Sequence, residues 1–415
     1  MKKIFKIFTA LLFLTVYVGE TFAENSVTET EFSFATRVRY ESVKQAALSA
    51  EALTVKLRLD ASKKLTNSLS LFLQLDYVQA YLNDQHSDGV VFIDKPVIAD
   101  PAGIDVNQAF VNYSFDDYFF TLGRQSIKHG NERFVGDVGF RQNDQTYDGL
   151  RITKLLLSGV SFDYAYISQV NRIFGRDADS SLSTSDIRFI PLKGKRPVGQ
   201  LGKHDVNAHL LNLEFKEWQY ADLSAYAYVV DNYDAVLFSN RTFGFSSNFR
   251  HKIGAIKWIG SIESAWQKKQ KSTTRDWINY WQWELGAKVQ SWQLSIRQEQ
   301  LGQKDDEAFI TPLATLHKFQ GWTDQFLTTP KEGLMDASVR LLWKKRPFTL
   351  DLRLHQYDSV KNNIDVGSEF NADLIYQYNR KHELKLRFAY FDPSNAQTLK
   401  TQRIKKLFLM YSYNL

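Results

Sequence analysis

The chain has 415 residues, with 52 Lys and Arg against 46 Asp and Glu and a formal charge of +6. It contains no cysteine, which excludes disulfides and any Cys-based zinc or redox site. The positive excess is far from a nucleic-acid-binding signature, so no nucleic-acid partner is expected.

The first residues read as a secretory signal. Lys2, Lys3 and Lys6 form a basic start, residues 8–18 an apolar stretch, and Thr21-Phe22-Ala23 a small-residue cleavage site. The expected division is a signal peptide over 1–23 and an outer-membrane β-barrel over 24–415. Loss of the signal lowers the charge to +4. No later stretch reaches 18 apolar residues, so helical membrane spans are excluded. Aromatics are nonetheless 14% of the chain at a mean hydropathy of −0.35. That combination suits strands whose residues alternate between lipid and water.

From residue 32 onward the pattern has period two. In 32–41, Phe32, Phe34, Val38 and Tyr40 share one face, and Arg37, Arg39 and Glu41 the other. In 53–60, Leu53, Val55, Leu57 and Leu59 oppose Lys56, Arg58 and Asp60. In 69–77, Leu71, Leu73 and Leu75 are predicted to face lipid, with Gln74 and Asp76 toward a lumen. Further strands are predicted near 106–113, 119–125, 146–153, 160–166, 207–215, 221–230, 241–249, 253–266 and 277–290. The last six fall near 292–300, 333–343, 348–357, 368–378, 383–391 and 405–415. The reading is all-β: a transmembrane up-and-down antiparallel barrel of about 18 strands.

Short connections alternate with long ones at 80–105, 126–145, 168–205 and 301–332. Short turns at one end and long loops at the other are what such a barrel requires. The long loops are therefore expected outside, where a tag at Asp179 or Asp305 is accessible, and the turn at Asp117 inside. Trp218, Trp281, Trp283, Trp292 and Trp343 lie where an interfacial aromatic belt needs them. The final strand places Leu407, Leu409, Tyr411, Tyr413 and Leu415 on one face. It resembles the terminal signal read by the barrel assembly machinery, an expected partner along with outer-membrane lipid.

The polar faces carry paired charges, among them Asp351 with Arg353, Arg297 with Glu299, and Lys385 with Arg387. Acids nearly balance bases over these faces. Their cations either select anions, because a narrow pore focuses the field, or stiffen the wall as Arg–carboxylate ladders. The loop 126–145, bounded by 119–125 and 146–153, is polar and rich in Gly and Arg. Arg124, Lys128, Arg133, Arg141 and Arg151 gather in and around it. It reads as a loop at, or folded into, the pore mouth. In 301–332, His317 and Asp324 could pair, but no Ser stands beside them in a nucleophile motif. Packing of Phe319, Trp322 and Phe326 into a lid or constriction accounts better for that loop. Asp305, Asp306 and Glu307 read as solvated acids rather than a calcium site. No cofactor and no metal is expected.

Several stretches resemble the alginate export family of outer-membrane barrels. They are LGRQ at 122–125, ERFVG at 132–136, FRQNDQTYDGLRIT at 140–153, PLATLHKFQGWTDQFLTTPKEGLMDAS at 312–338 and VGSEFNADLIYQY at 366–378. The resemblance also takes in 37–40 and 52–59. It implies an 18-stranded barrel in the bacterial outer membrane with a charged lumen that passively passes an anionic polysaccharide or oligosaccharide, with periplasmic export partners where cargo is polymeric. The expected pore residues are Arg37, Arg58, Arg124, Lys128, Arg133, Arg141, Arg151, Arg297, Arg353 and Arg387. A general or substrate-specific porin for small anionic solutes is the second reading. A barrel enzyme or a structural barrel comes after it.

Overall fold

The computed structural model describes residues 30–178, 196–216, 218–270, 276–394 and 401–415. The proposed signal peptide and Asp179 lie outside the described residues. The wall begins with β1 (Thr30–Gln45), β2 (Leu48–Lys64), β3 (Leu69–Tyr81), β4 (Gly103–Phe115), β5 (Tyr118–Gln125) and β6 (Thr146–Leu157). It continues with β7 (Val160–Asn171), β8 (Lys203–Phe215), β9 (Ala221–Asn232), β10 (Asn240–Ile253), β11 (Ile256–Lys269), β12 (Ile278–Val289) and β13 (Trp292–Leu301). A small hairpin of β14 (Gln303–Lys304) and β15 (Glu307–Ala308) follows. The wall ends with β16 (Leu334–Lys345), β17 (Phe348–Asp358), β18 (Asp365–Gln377), β19 (His382–Pro393) and β20 (Ile404–Asn414).

Each wall strand pairs antiparallel with its neighbours in the chain. β1 pairs with both β2 and β20, which closes an 18-stranded barrel. Closure leaves no open edge, so the wall's backbone groups can be satisfied within lipid. All eighteen predicted strands are present. Most run longer than the alternation alone showed, because register continues past the last apolar residue. β1 and β2 meet at Ala46 and Ala47, so one tight turn lies at the long-loop end. At the opposite end Gly254 closes the β10–β11 hairpin with φ of +57°, a left-handed value that glycine adopts freely.

The faces are inverted relative to a water-soluble protein. Leu73 is 39% exposed on the outer face, whereas Gln74 and Asp76 on the lumen face are 5% and 2% exposed. Leu57, Leu59, Leu122, Trp283 and Trp292 also stand outward. Trp292 and Trp343 are register partners whose ring centroids lie 6.1 Å apart, beside the short turns. That suits a membrane interface, where an amphipathic ring has both apolar and wet contacts.

The lumen face departs from the expected polarity in the half toward the long loops. There Ala165, Ile167, Ala208, Leu210, Ile278 and Tyr280 point inward and are buried. They need an apolar partner, and the long loops supply it. Ile127, Phe134 and Val135 of one loop join Phe309, Leu313 and Phe326 of another in the same cluster. The barrel's core is thus inside its upper lumen.

Candidate pore constriction

Two loops make the constriction: 126–145, between β5 and β6, and 302–333, between β13 and β16. Both fold into the barrel. They are joined by backbone bonds from Gly136 N to Leu313 O (2.9 Å) and from Thr315 N to Glu132 O (3.1 Å). Gln145 Nε2 donates to Leu313 O at 3.0 Å, and Thr315 Oγ1 and Lys318 Nζ donate to the Glu132 carboxylate at 2.6 and 3.0 Å. Burial raises the Glu132 carboxyl, but the bonds from Thr315 and Lys318 and the charges of Lys318 and Lys128 outweigh it and hold it below its ordinary pKa. The loop 126–145 is folded into the barrel and is not a solvated surface loop, because Ile127, Arg133, Val135, Gln142 and Gln145 are all buried.

The wall grips the first loop through cations. Arg37 donates to the carbonyls of Gly139 (3.0 Å) and Arg141 (3.1 Å), and Arg39 to that of Phe140 (2.7 Å). Arg58 bridges Asp76 and Asp144, each at 2.6 Å, with Lys56 3.5 Å from Asp144. Burial would raise the Asp144 carboxyl, but Lys56 and Arg58 hold it at about 2. Arg141 lies between Glu41 (3.0 Å) and Asp324 (3.2 Å), and so ties the wall to both loops.

The second loop is gripped in the same way. Arg133 of the first loop donates to Glu299 of β13 at 2.7 Å, and to Thr311 (3.2 Å) and Gln320 (3.3 Å) of the second. Glu369 of β18 accepts from the backbone N–H groups of Trp322 (2.5 Å) and Thr323 (2.9 Å). Gly321, with φ of +79°, permits that approach, since a Cβ there would run into the Glu369 carboxylate. Trp322 lies under two wall guanidiniums, Arg387 at 3.8 Å and Arg353 at 4.9 Å from its ring centroid. Trp322 and Phe326 are buried, as the packing reading expected.

His317 is central to this network. Its ring stacks on Phe140 at 3.7 Å, its Nδ1 lies 2.6 Å from Asp324, and Arg387 Nη1 lies 2.7 Å from its Nε2. An arginine can only donate, so Nε2 accepts and Nδ1–H donates to Asp324. Burial pushes the imidazole down to about 3 despite the nearby carboxylate. Burial alone would raise Asp324, but His317 and Lys406 (2.6 Å) hold it well below the usual carboxylate range. With its lone pair taken by Arg387, His317 has no free base position, and the pair acts as a brace.

The ten expected pore residues therefore fall into groups. Arg37, Arg58, Arg133, Arg141, Arg353 and Arg387 converge on the constriction. Arg297 joins them through Glu299 at 3.0 Å. Arg151, paired with Asp163 at 2.6 Å, lies on the lumen wall beneath the first loop. Arg124, paired with Asp148 at 2.8 Å, shares the outward face of Leu122 and alternates with buried Gln125, so it stands outside the lumen and is not a pore residue. Lys128 lies 2.5 Å from Asp137 and is half exposed. Lys406 was missed. Strand alternation with Leu407 could have found it, since the position must face inward. Asp305 and Asp306 lie at the β14–β15 hairpin, where Asp306 pairs with Lys361 at 2.6 Å. Among the described residues no cluster of metal-ligating side chains occurs.

A closed lipid-facing barrel narrowed by inward loops defines an outer-membrane channel protein. Residues 28–224 match the sequence profile described as alginate export. That match covers just under half of the chain and, with the closed 18-strand barrel, is consistent with an outer-membrane barrel of the alginate export family; the protein is located in the bacterial outer membrane. No curated protein matches the chain in sequence. Among solved structures it is similar to Acinetobacter baumannii OccAB4, with 11% identity, a TM-score of 0.72, and coverage of 94% of this chain and 100% of that one. Pseudomonas aeruginosa OpdK gives 11%, 0.66, 93% and 98%, and OpdK with vanillate 10%, 0.65, 93% and 98%. At such identities the likeness is one of fold.

Proposed function

We propose that the channel passively passes a hydrophilic, anionic saccharide past the two-loop constriction, without acting as an enzyme. The observation that carries this is a sorting of charge around the lumen. Lys385 and Arg387 of β19, Lys406 of β20, Arg37 and Arg39 of β1, and Lys56 and Arg58 of β2 occupy four adjacent strands. Glu41, Asp60 and Glu383 are the lumen-side acids among them, so cations are in excess there, whereas on β11 to β18 Glu263, Glu284, Glu299, Asp336, Asp351, Glu369 and Asp373 outnumber Lys257, Lys288, Arg297, Arg340 and Arg353. A balanced total is therefore an unbalanced surface, and a cationic strip in a low-dielectric pore draws anions along one wall.

A second reading, a porin for small anionic solutes, is favoured by the constriction itself. Loops fixed by buried ion pairs leave less room for a polymer than an open barrel does. A related fold has been seen with vanillate, a small carboxylate. Planar-bilayer recording with uronate oligomers of increasing length separates the two. Residence times that grow with length support polymer passage; block that saturates at one or two units supports the small-solute porin. Absence of any ion current defeats both.

A further inference from the structure

The short-turn end of the barrel carries a patch of unmatched cations. Lys345 and Arg346 lie at the β16–β17 turn, and Arg380 and Lys381 at the β18–β19 turn, all four exposed. A backbone bond from Gln377 N to Pro347 O at 2.8 Å joins the two turns. Asn379 Oδ1 fixes the second turn by accepting from the amides of Lys381 (2.8 Å) and His382 (3.0 Å). The acids of these strands are engaged in the lumen instead: Asp351 pairs with Arg340 and Arg353, Asp373 with Arg387, and Glu383 with Lys385. Among the described residues no carboxylate lies within ion-pair distance of the four cations.

Aromatic rings stand beside these charges on the lipid face. Trp343 and Lys345 are two apart on β16 and so share a face. Phe348 is the register partner of both Lys345 and Tyr376, its ring centroid 5.1 Å from that of Tyr376. Phe348 is 40% exposed and Tyr378, two residues before Arg380, 70%. Cations at the tips of the turns and rings just above them match the layering of a lipid, with its phosphates at the surface and its chains beneath. The β4–β5 turn makes the contrast. It has an exposed ring too, Phe115, but Asp116 and Asp117 stand where the other turns have cations. Rings alone anchor a barrel in any lipid, whereas unmatched cations select a lipid by its charge.

We propose that the joined β16–β17 and β18–β19 turns bind an anionic glycerophospholipid, its phosphates on Lys345, Arg346, Arg380 and Lys381 and its acyl chains along Trp343, Phe348 and Tyr376. Four cations exceed the charge of one phosphate, so a two-phosphate lipid such as cardiolipin fits them better than a lipid with one. Each Lys or Arg beside an anionic lipid is worth about fivefold in association. The site requires only that the barrel spans a bilayer, and it is independent of what passes through the lumen.

The chain has no cysteine, so one introduced cysteine gives one labelled position. A fluorophore at Leu350→Cys, the register partner of Trp343, reports on the proposed site, and one at Tyr113→Cys on the lipid face beside the β4–β5 turn. The full chain is reconstituted in phosphatidylcholine vesicles containing spin-labelled cardiolipin or, as control, spin-labelled phosphatidylcholine. Cardiolipin should quench the label at Leu350→Cys at a severalfold lower mole fraction than the one at Tyr113→Cys, while labelled phosphatidylcholine quenches both alike. Changing Lys345, Arg346, Arg380 and Lys381 together to Gln should raise the half-quenching fraction of cardiolipin at Leu350→Cys by about tenfold or more. The preference should also shrink at high salt. If that variant does not assemble, Arg380→Gln with Lys381→Gln decides alone. Equal quenching by cardiolipin at the two positions, or an unchanged fraction in the variant, overturns the site and leaves the turns to an acidic soluble partner. Release of the lipid by inorganic phosphate at constant ionic strength marks a simple anion site and overturns it too. Ion current reads the channel separately, so none of these failures touches the passage of solute.

Discussion

Arg133→Gln should loosen the constriction without unfolding the barrel. Arg133 is 1% exposed and its partner Glu299 is fully buried. Removing one member of such a pair ordinarily costs about 3–5 kcal/mol, mostly because a charge is left unmatched. Here Glu299 keeps Arg297 at 3.0 Å and the Tyr280 hydroxyl at 2.9 Å. The expected loss is therefore smaller, roughly 2–3 kcal/mol, or about 30- to 150-fold in the ratio of docked to undocked loop. It falls on the loops, since Arg133 takes no part in the strand ladders. Backbone hydrogen exchange should report it at Gly136 and Thr315, whose amides bridge the two loops. Both should lose protection while mid-strand amides of β1 and β20 keep theirs. Single-channel traces should gain larger, noisier open states. Adding Glu299→Gln should restore part of the loss, because no unmatched carboxylate remains. The reasoning is falsified if Gly136 and Thr315 exchange as in the wild type and conductance is unchanged.

Four further outcomes follow from the same geometry. Replacing both Arg133 and Arg141 with Gln leaves Glu299, Glu41 and Asp324 in excess near the pathway. The reversal potential in a salt gradient should move toward cation selectivity and the shift should shrink at high salt; an unmoved potential rules out a role in selectivity. Leu73→Arg, on the lipid face, should cost roughly 2–4 kcal/mol in a refolding titration, and Ser62→Arg, on the half-exposed lumen face nearby, much less; equal costs contradict the assigned faces. Because His317 titrates near 3 when docked and near 6.5 when released, the released loop binds the extra proton. Docking stability should fall as pH drops from about 6.5 toward 3, by about 1.4 kcal/mol per unit; conductance noise that is flat across this window contradicts the assigned tautomer. An epitope at Asp305 should be labelled on intact cells and one at Asp117 only after permeabilisation, and the reverse pattern inverts the topology.

Much of the barrel can be read from the amino-acid order. Period-two alternation is a local property, and 18 repetitions of it with alternating short and long connections admit few architectures. The outward placement of Leu71 and Leu73 follows from the same alternation. Charge pairs on one strand, such as Arg353 with Asp351, are also legible, because residues two apart share a face. The motif at 122–153 marked the inward-folded loop by its composition.

What only the tertiary structure decided is which charges meet across the lumen. Arg133 pairs with Glu299 and Arg141 with Asp324, at separations of 166 and 183 residues, and closure of the barrel creates those contacts. No local pattern encodes them, since a lumen-facing arginine has the same alternation whether it stands free or is clamped. The apolar inner face near Ile167 and Leu210 was hidden for a similar reason. A strand lined on both sides by apolar residues loses its alternation, and only the folded loops show what covers the inner side. Charge balance likewise changed meaning on folding, because a sum over the chain carries no angle around a barrel.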